Sequence, residues 1–213
     1  MHIVAQPAPT FEAPAVINGQ TIVHDFSLTQ YLDQQAVLLL FYPKDFTFVC
    51  PTELLTLQQH LGDFEQRGVA VVACSTDTEE VHLAWLNTPR EKGGIQGVTY
   101  PLVADVSKTI AANYGVLGGQ WDYNDEEQLA FQGIPVAYRG TFLIDKKGIV
   151  RHASINDLAL GRSIPEMLRI VDMWRHVEQF GEVCPANWTS GQEALEATPE
   201  STAIYLAKHM DKA

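Results

Sequence analysis

The feature that most constrains this chain is an unbroken apolar run, Ala36-Val-Leu-Leu-Leu-Phe-Tyr42, stopped by Pro43. It falls far short of the roughly 20 residues that cross a bilayer, so no membrane span is expected. A run of this kind, without polar alternation, fits a strand buried on both faces, which needs helices packed above and below it. Val69 to Cys74 is a second such run. Gly140-Thr-Phe-Leu-Ile-Asp145 and Ile149-Val-Arg-His-Ala-Ser-Ile155 flank a turn at Lys146-Lys-Gly148 and predict an antiparallel pair. Between these runs the spacing predicts helices over 51–67, with Leu54, Leu57, Leu61 and Phe64 on one face, over 79–87, over 107–114 and over 163–180. The last begins behind a Ser163-x-x-Glu166 capping box. Alternating residues around Asn18-Gly19 predict an N-terminal hairpin within 10–26. The expected class is α/β, with a central mixed sheet flanked by helices. From Glu182 the chain becomes rich in Gly, Pro, Ser and Thr, then offers a short helix from Glu200 to about His209. The expected organisation is a body over 1–165 and a C-terminal extension over 166–213, a helix and a tail in the same functional unit. Cys184, Trp188 and Tyr205 in that tail indicate that it packs.

Lys and Arg number 14 against 26 Asp and Glu, a formal charge of −12. Sequence-independent nucleic-acid binding rests on clustered basic residues, so nucleic acid is not an expected partner. The opening Met1-His-Ile-Val-Ala-Gln-Pro-Ala-Pro9 lacks a basic region and a continuous apolar stretch, and a cytoplasmic protein is expected rather than a secreted one. Cys50, Cys74 and Cys184 are too few and too dispersed for a disulfide scaffold, so any disulfide here is expected to be transient and chemical. The 7 histidines form no i,i+4 pair, and no glycine loop of dinucleotide or phosphate type follows a strand. Neither metal nor cofactor is expected.

The sharpest chemistry lies in Phe41-Tyr-Pro-Lys-Asp-Phe-Thr-Phe-Val-Cys-Pro-Thr-Glu53, which leaves a buried strand, crosses a loop and enters a helix. Pro51 suits position N1, which puts Cys50 at the N-cap. The positive end of the helix dipole and unsatisfied N–H groups favour an anion there, and so a thiolate. Thr47 can place a hydroxyl beside the sulfur, donating and accepting, while Pro43 covers the site without adding an N–H. Read alone, Cys50 also fits a small buried apolar residue. Its place after a strand and before Pro51 favours the nucleophile.

Pro43-x-x-x-Thr47-x-x-Cys50 followed by Pro-Thr-Glu53 resembles the active-site signature of the peroxiredoxins. The similarity continues through His82-Leu-Ala-Trp85, Tyr114-Gly-Val116, Arg139-Gly-Thr-Phe-Leu-Ile-Asp145, Gly161-Arg-Ser163 and Gly181-Glu-Val-Cys184-Pro-Ala-Asn-Trp188. The subgroup it resembles is the typical two-cysteine type, the alkyl hydroperoxide reductase C and thioredoxin peroxidase group. The resemblance implies a thioredoxin-like fold and reduction of hydrogen peroxide and alkyl hydroperoxides. It makes Cys50 the peroxidatic cysteine, Thr47 a partner of thiolate and peroxide, Pro43 a shield and Arg139 the cation beside the sulfur. Glu53 would orient that arginine, although ordinary dipole complementation also accounts for it. Cys184 resembles the resolving cysteine, which attacks the sulfenic acid of the other subunit in a homodimer. Electrons would then arrive from a thioredoxin-like or dedicated dithiol reductase. The dimer is expected to pair edge strands near Arg151 to Ile155, and five dimers to close a decamer through the surface around Phe46 and Trp85. Cys74 carries no motif and reads as structural.

Two segments depart from the pattern. Residues 117–138 are longer than in many relatives and hold Asp122, Asp125, Glu126 and Glu127 with no Lys or Arg, which reads as a solvated loop or hairpin. Gly94-Ile-Gln-Gly97 only approximates the Gly-Gly-Leu-Gly of overoxidation-prone relatives, and Tyr205-Leu206 stands for their Tyr-Phe, so intermediate to high resistance to overoxidation is expected. Two rival functions are a thiol-independent chaperone or scaffold and a disulfide oxidoreductase, the latter weakened because Cys50-Pro-Thr-Glu53 is not Cys-x-x-Cys.

Overall fold

Every residue of the central strand is buried, as the apolar run requires. The structure, a computed structural model, describes residues 2–210. Its strands are β1 (Ala13–Ile17), β2 (Thr21–Phe26), β3 (Ala36–Phe41), β4 (Val69–Ser75), β5 (Leu102–Ala104), β6 (Leu117–Tyr123), β7 (Leu129–Ala137), β8 (Arg139–Ile144) and β9 (Val150–Asn156). The helices are α1 (Cys50–Gln59), α2 (Leu61–Gln66), α3 (Glu79–Asn87), α4 (Thr109–Asn113), α5 (Ile164–Phe180) and α6 (Pro199–His209). Among the described residues, seven strands form one mixed sheet in the order β2-β1-β5-β4-β3-β8-β9. β3 runs parallel to β4 and antiparallel to β8, so the end of β3 and the start of β8 lie at the same edge of the sheet. That shared edge receives the site. Phe41, Tyr114 and Phe142 pack beneath it, with ring centroids 5.0–5.8 Å apart.

The N-terminal hairpin turns at Asn18 and Gly19, both left-handed, with φ of 53° and 71°. The Gln20 N–H donates to the Ile17 carbonyl at 3.2 Å, closing a turn whose two central residues are both left-handed. A Cβ on Gly19 would meet the Val98 carbonyl oxygen at 2.6 Å, so this glycine is needed for close approach as well as for φ.

Several elements differ from the sequence reading. The helix expected over 51–67 breaks at His60 (φ −101°, ψ 9°), whose ring pairs with Asp63 at 2.7 Å in the first turn of α2. The break lets Leu54, Leu57 and Phe64 all reach the core. α4 starts at Thr109, not 107, because Lys108 is left-handed and the Asp105 carboxylate accepts from the N–H groups of Ile110 (3.1 Å) and Ala111 (2.7 Å). β5 has only three residues, too few for a periodicity signal, yet all are buried between β1 and β4.

Segment 117–138 is a hairpin. β6 and β7 form their own two-stranded sheet, with Trp121 opposite Phe131 and Tyr123 opposite Leu129 on one face. The rings of Trp121 and Phe131 meet edge to face at 5.4 Å, while Trp121, Tyr123 and Leu129 stay largely exposed.

The chain divides into two units, Met1–Ile164 and Pro165–Ala213. Within the second, a bridge between Val183 and Leu195 closes the segment that follows α5. Trp188 is buried there, its carbonyl accepting from Arg169 at 2.9 Å and its ring 4.8 Å from that of His176. Thr198 caps α6 by accepting from the Ser201 N–H at 3.1 Å. No described helix is long and apolar enough to cross a membrane.

Candidate active site

Cys50 lies at the end of the loop that leaves β3, and none of its surface is exposed. It is the first residue of α1 rather than its cap. Val49 already has helical backbone angles (φ −85°, ψ −37°), and its carbonyl accepts from the N–H groups of Thr52 and Glu53 at 3.1 and 3.3 Å. The helix therefore begins one residue earlier than Pro51 suggested, with the proline still in the first turn, where its missing N–H leaves no bond unmade. Cys50 keeps its place in the positive end of the helix.

Arg139, the first residue of β8, reaches Cys50 across the sheet edge. Its Nη1 donates to Cys50 Sγ at 3.4 Å and to Glu53 Oε2 at 2.7 Å. Its Nε and Nη2 both donate to the Leu158 carbonyl, at 2.9 and 2.6 Å. Glu53, one turn after Cys50 on α1, also takes Arg162: Nη1 donates to Oε2 and the backbone N–H to Oε1, each at 2.9 Å. Arg162 is bonded further to Thr141 Oγ1 (2.9 Å), to the Gly140 carbonyl (2.8 Å) and to the Phe41 carbonyl. The three charged side chains are no more than 4% exposed. Burial and the neighbouring Arg139 charge push the Arg162 pKa down, and Glu53 and Cys50 oppose them. Two guanidinium groups face one carboxylate, so one buried positive charge is left for an anion at the sulfur to balance.

The other residues that the sequence pointed to are distributed as follows. Pro43 is buried, and its carbonyl accepts from Thr76 Oγ1 at 3.2 Å. Thr47 is half-buried, and its hydroxyl donates to the Lys44 carbonyl at 2.9 Å. That bond commits the proton, leaving the oxygen as an acceptor rather than the donor and acceptor expected. Cys184 lies in the second unit, half-buried, with Sγ 3.8 Å from the Met173 carbonyl. Burial and then the Glu182 charge push its pKa up, against Arg169. Cys74, the last residue but one of β4, is fully buried; burial and then Asp105 push its thiol well above the usual range. Trp85, expected near a surface, is fully buried with Nε1 donating to the Gly93 carbonyl at 2.9 Å. Only Phe46, whose ring packs tilted against it at 5.8 Å between centroids, is exposed.

A second buried network escaped the sequence reading. Tyr42 Oη donates to Asp45 Oδ1 at 2.8 Å, Asp45 Oδ2 meets His82 Nδ1 at 2.7 Å, and His82 Nε2 lies 3.2 Å from the Val103 carbonyl. The backbone N–H of Asp45 donates to Asp77 Oδ2 at 2.6 Å. The loop carrying Thr47 and Cys50 is thus tied to α3 and β5. An aspartate in a loop and a histidine on a helix 37 residues later carry no spacing signal that would have joined them. Among the described residues no group of three or more His, Cys, Asp or Glu is arranged to hold a metal.

Residues 4–153 match the AhpC/TSA family. The chain belongs to that family. Residues 173–208 match the C-terminal domain of 1-Cys peroxiredoxin. The chain is 45% identical over 210 residues to alkyl hydroperoxide reductase C of Helicobacter pylori, covering 99% of each. It is 41% identical over 206 residues to peroxiredoxin-2 of Rattus norvegicus, covering 97% of this chain and 96% of that one. Among solved structures, the reduced 2-Cys peroxiredoxin of Plasmodium vivax superposes with a TM-score of 0.87 at 40% identity, over 97% of this chain and 100% of that one. The fold is the thioredoxin-like one of these peroxiredoxins, and the protein is a thiol peroxidase.

Proposed function

We propose that Cys50 is the peroxidatic nucleophile, and that the protein reduces hydrogen peroxide and alkyl hydroperoxides through it. The observation that carries this reading is the Arg139 donor 3.4 Å from a fully buried Cys50 sulfur, inside a cluster with one cation in excess. The thiolate attacks one peroxide oxygen and the O–O bond breaks. The leaving oxygen takes a proton and departs as water or alcohol, and Cys50 becomes a sulfenic acid. Arg139 stabilises the charge moving onto the leaving oxygen, Glu53 holds Arg139 in place, the Thr47 oxygen accepts from the peroxide O–H, and Pro43 shields the pocket.

Cys184 of the partner subunit then attacks the sulfenic sulfur, releasing water and forming the Cys50–Cys184 disulfide. A thioredoxin-like or dedicated dithiol reductase returns both thiols. Residues 1–165 act as the peroxidase body and 166–213 as the arm bearing Cys184. β9 is an edge strand with Ile155 exposed, which supports a homodimer paired along Arg151 to Ile155. Five such dimers would close a decamer, with Phe46 rather than Trp85 supplying the exposed aromatic surface. A cycle that depends on reduced thiols suits the cytoplasm.

The test is peroxide-dependent consumption of reductant, with dithiothreitol and with thioredoxin plus its reductase. Cys50→Ser is expected to abolish turnover with both donors, while Cys74→Ser retains it. One equivalent of peroxide should yield a covalent dimer on non-reducing gels, lost in Cys50→Ser and in Cys184→Ser alike. An active Cys50→Ser protein, or a monomer band throughout, overturns the assignment.

A further inference from the structure

Arg139 carries five N–H donors in a rigid fork, so its aim depends on where the others are fastened. Two of its three nitrogens, Nε and Nη2, converge on the Leu158 carbonyl, which leaves Nη1 to reach Glu53 and Cys50. A backbone carbonyl thus sets the plane of the guanidinium, and the shape of the loop 157–161 sets where that carbonyl points.

The loop has few bonds of its own. The Leu158 N–H donates to Asp157 Oδ1 at 2.7 Å, and the Leu160 N–H to the Asp157 carbonyl at 3.0 Å. Asn156, the last residue of β9, fastens the far end to the near one. Its Nδ2 donates to the carbonyls of Leu160 (3.2 Å) and Gly161 (3.4 Å). The next residue, Arg162, then presents its backbone N–H to Glu53. The loop therefore touches the charged cluster twice, through the Leu158 carbonyl and through the Arg162 N–H, and Asn156 clasps the stretch between them.

We propose that Asn156 is a positioning residue for peroxide reduction: its amide holds the loop so that the Leu158 carbonyl aims the Arg139 guanidinium at Cys50. The proposal rests on the assignment of Cys50 and Arg139 above. Only the two N–H bonds of the amide are required. Aspartate has the same shape but lacks both, and when ionised it sets a negative charge against two carbonyl oxygens.

The test measures the second-order rate of Cys50 oxidation by hydrogen peroxide in a single turnover, together with the pH profile of Cys50 alkylation by iodoacetamide. The proteins compared are the parent, N156A, N156D, R139A and R139A/N156A. A misaimed donor should slow oxidation about tenfold in N156A, at least as much in N156D, and move the alkylation profile to higher pH. In the R139A background N156A should change the rate by less than about twofold, because the group it acts through is gone. Parent-like rate and profile in N156A or N156D would overturn the proposal, as would an equal slowing by N156A with and without Arg139. If N156A does not fold, N156D carries the same comparison. R139A oxidised at the parent rate contradicts the arginine assignment itself, whereas a slow R139A beside a parent-like N156A contradicts only the role of Asn156.

Discussion

Glu53 takes the guanidinium groups of both arginines on Oε2, and the two arginines hold different things. Arg139 reaches onward to the sulfur, while Arg162 reaches back to the carbonyls of Phe41 and Gly140, binding β3 to β8. Removing each should therefore leave a different signature. Arg139→Ala is expected to slow single-turnover oxidation of Cys50 about 10²- to 10³-fold, the usual cost of losing one donor at a developing negative charge. Arg162→Ala strips one partner from a buried ion pair and removes a donor from two strand carbonyls, and is expected to cost about 3–5 kcal/mol of stability in urea unfolding. Parent-like oxidation in R139A, or parent-like unfolding in R162A, contradicts the corresponding role. Cys50, Thr47 and Pro43 could be singled out together as candidates from the sequence because they share one short stretch with Pro51. The tie from Arg162 to Glu53 could not be read there, since it joins residues 109 apart that only the packing of α1 against the sheet edge brings together.

The loop between β3 and α1 is held by charge as much as by packing. Phe46 within it has φ of +51°, a conformation that an aromatic residue adopts only when its surroundings enforce it. Asp45, beside it, is fixed by Tyr42, His82 and the Asp77 carboxylate. Burial works to lower the His82 pKa, but its hydrogen bond and charge interaction with Asp45 outweigh that and raise it. A folded-state value above the unfolded one, about 6.5, means the stabilisation is complete below that value and is lost as pH rises through the folded one. Urea unfolding of the parent should accordingly lose stability across this window above about pH 6.5, and His82→Gln, which carries no titrating proton, should lack that decline. A decline of equal size in the glutamine variant removes His82 as its source. The strands were readable where apolar runs were long, as in β3 and β4. The break at His60 and the three-residue β5 were not, because local bonds and sheet neighbours decide them, not periodicity.

At the scale of the whole molecule, β6 and β7 stay outside the main sheet. The hairpin shares no ladder with it, although β7 ends two residues before Arg139. Replacing 120–132 with Asn-Gly, across the pair Gly119 and Gly133, should leave the oxidation rate of Cys50 unchanged and shift Tm by less than about 3 °C, given about 2–4 °C per kcal/mol for a chain of this size. A slowed enzyme would show that the ribbon braces the site. The sequence left this segment as a loop or a hairpin, since Gly118-Gly119 and Gly133-Ile-Pro135 interrupt the alternation that marks a strand. The arrangement makes the chain modular at one point: length can be gained or lost there without changing strand register anywhere in the core, so this ribbon is where a reporter peptide, an affinity handle or a foreign epitope could be grafted while the chemistry beneath continues.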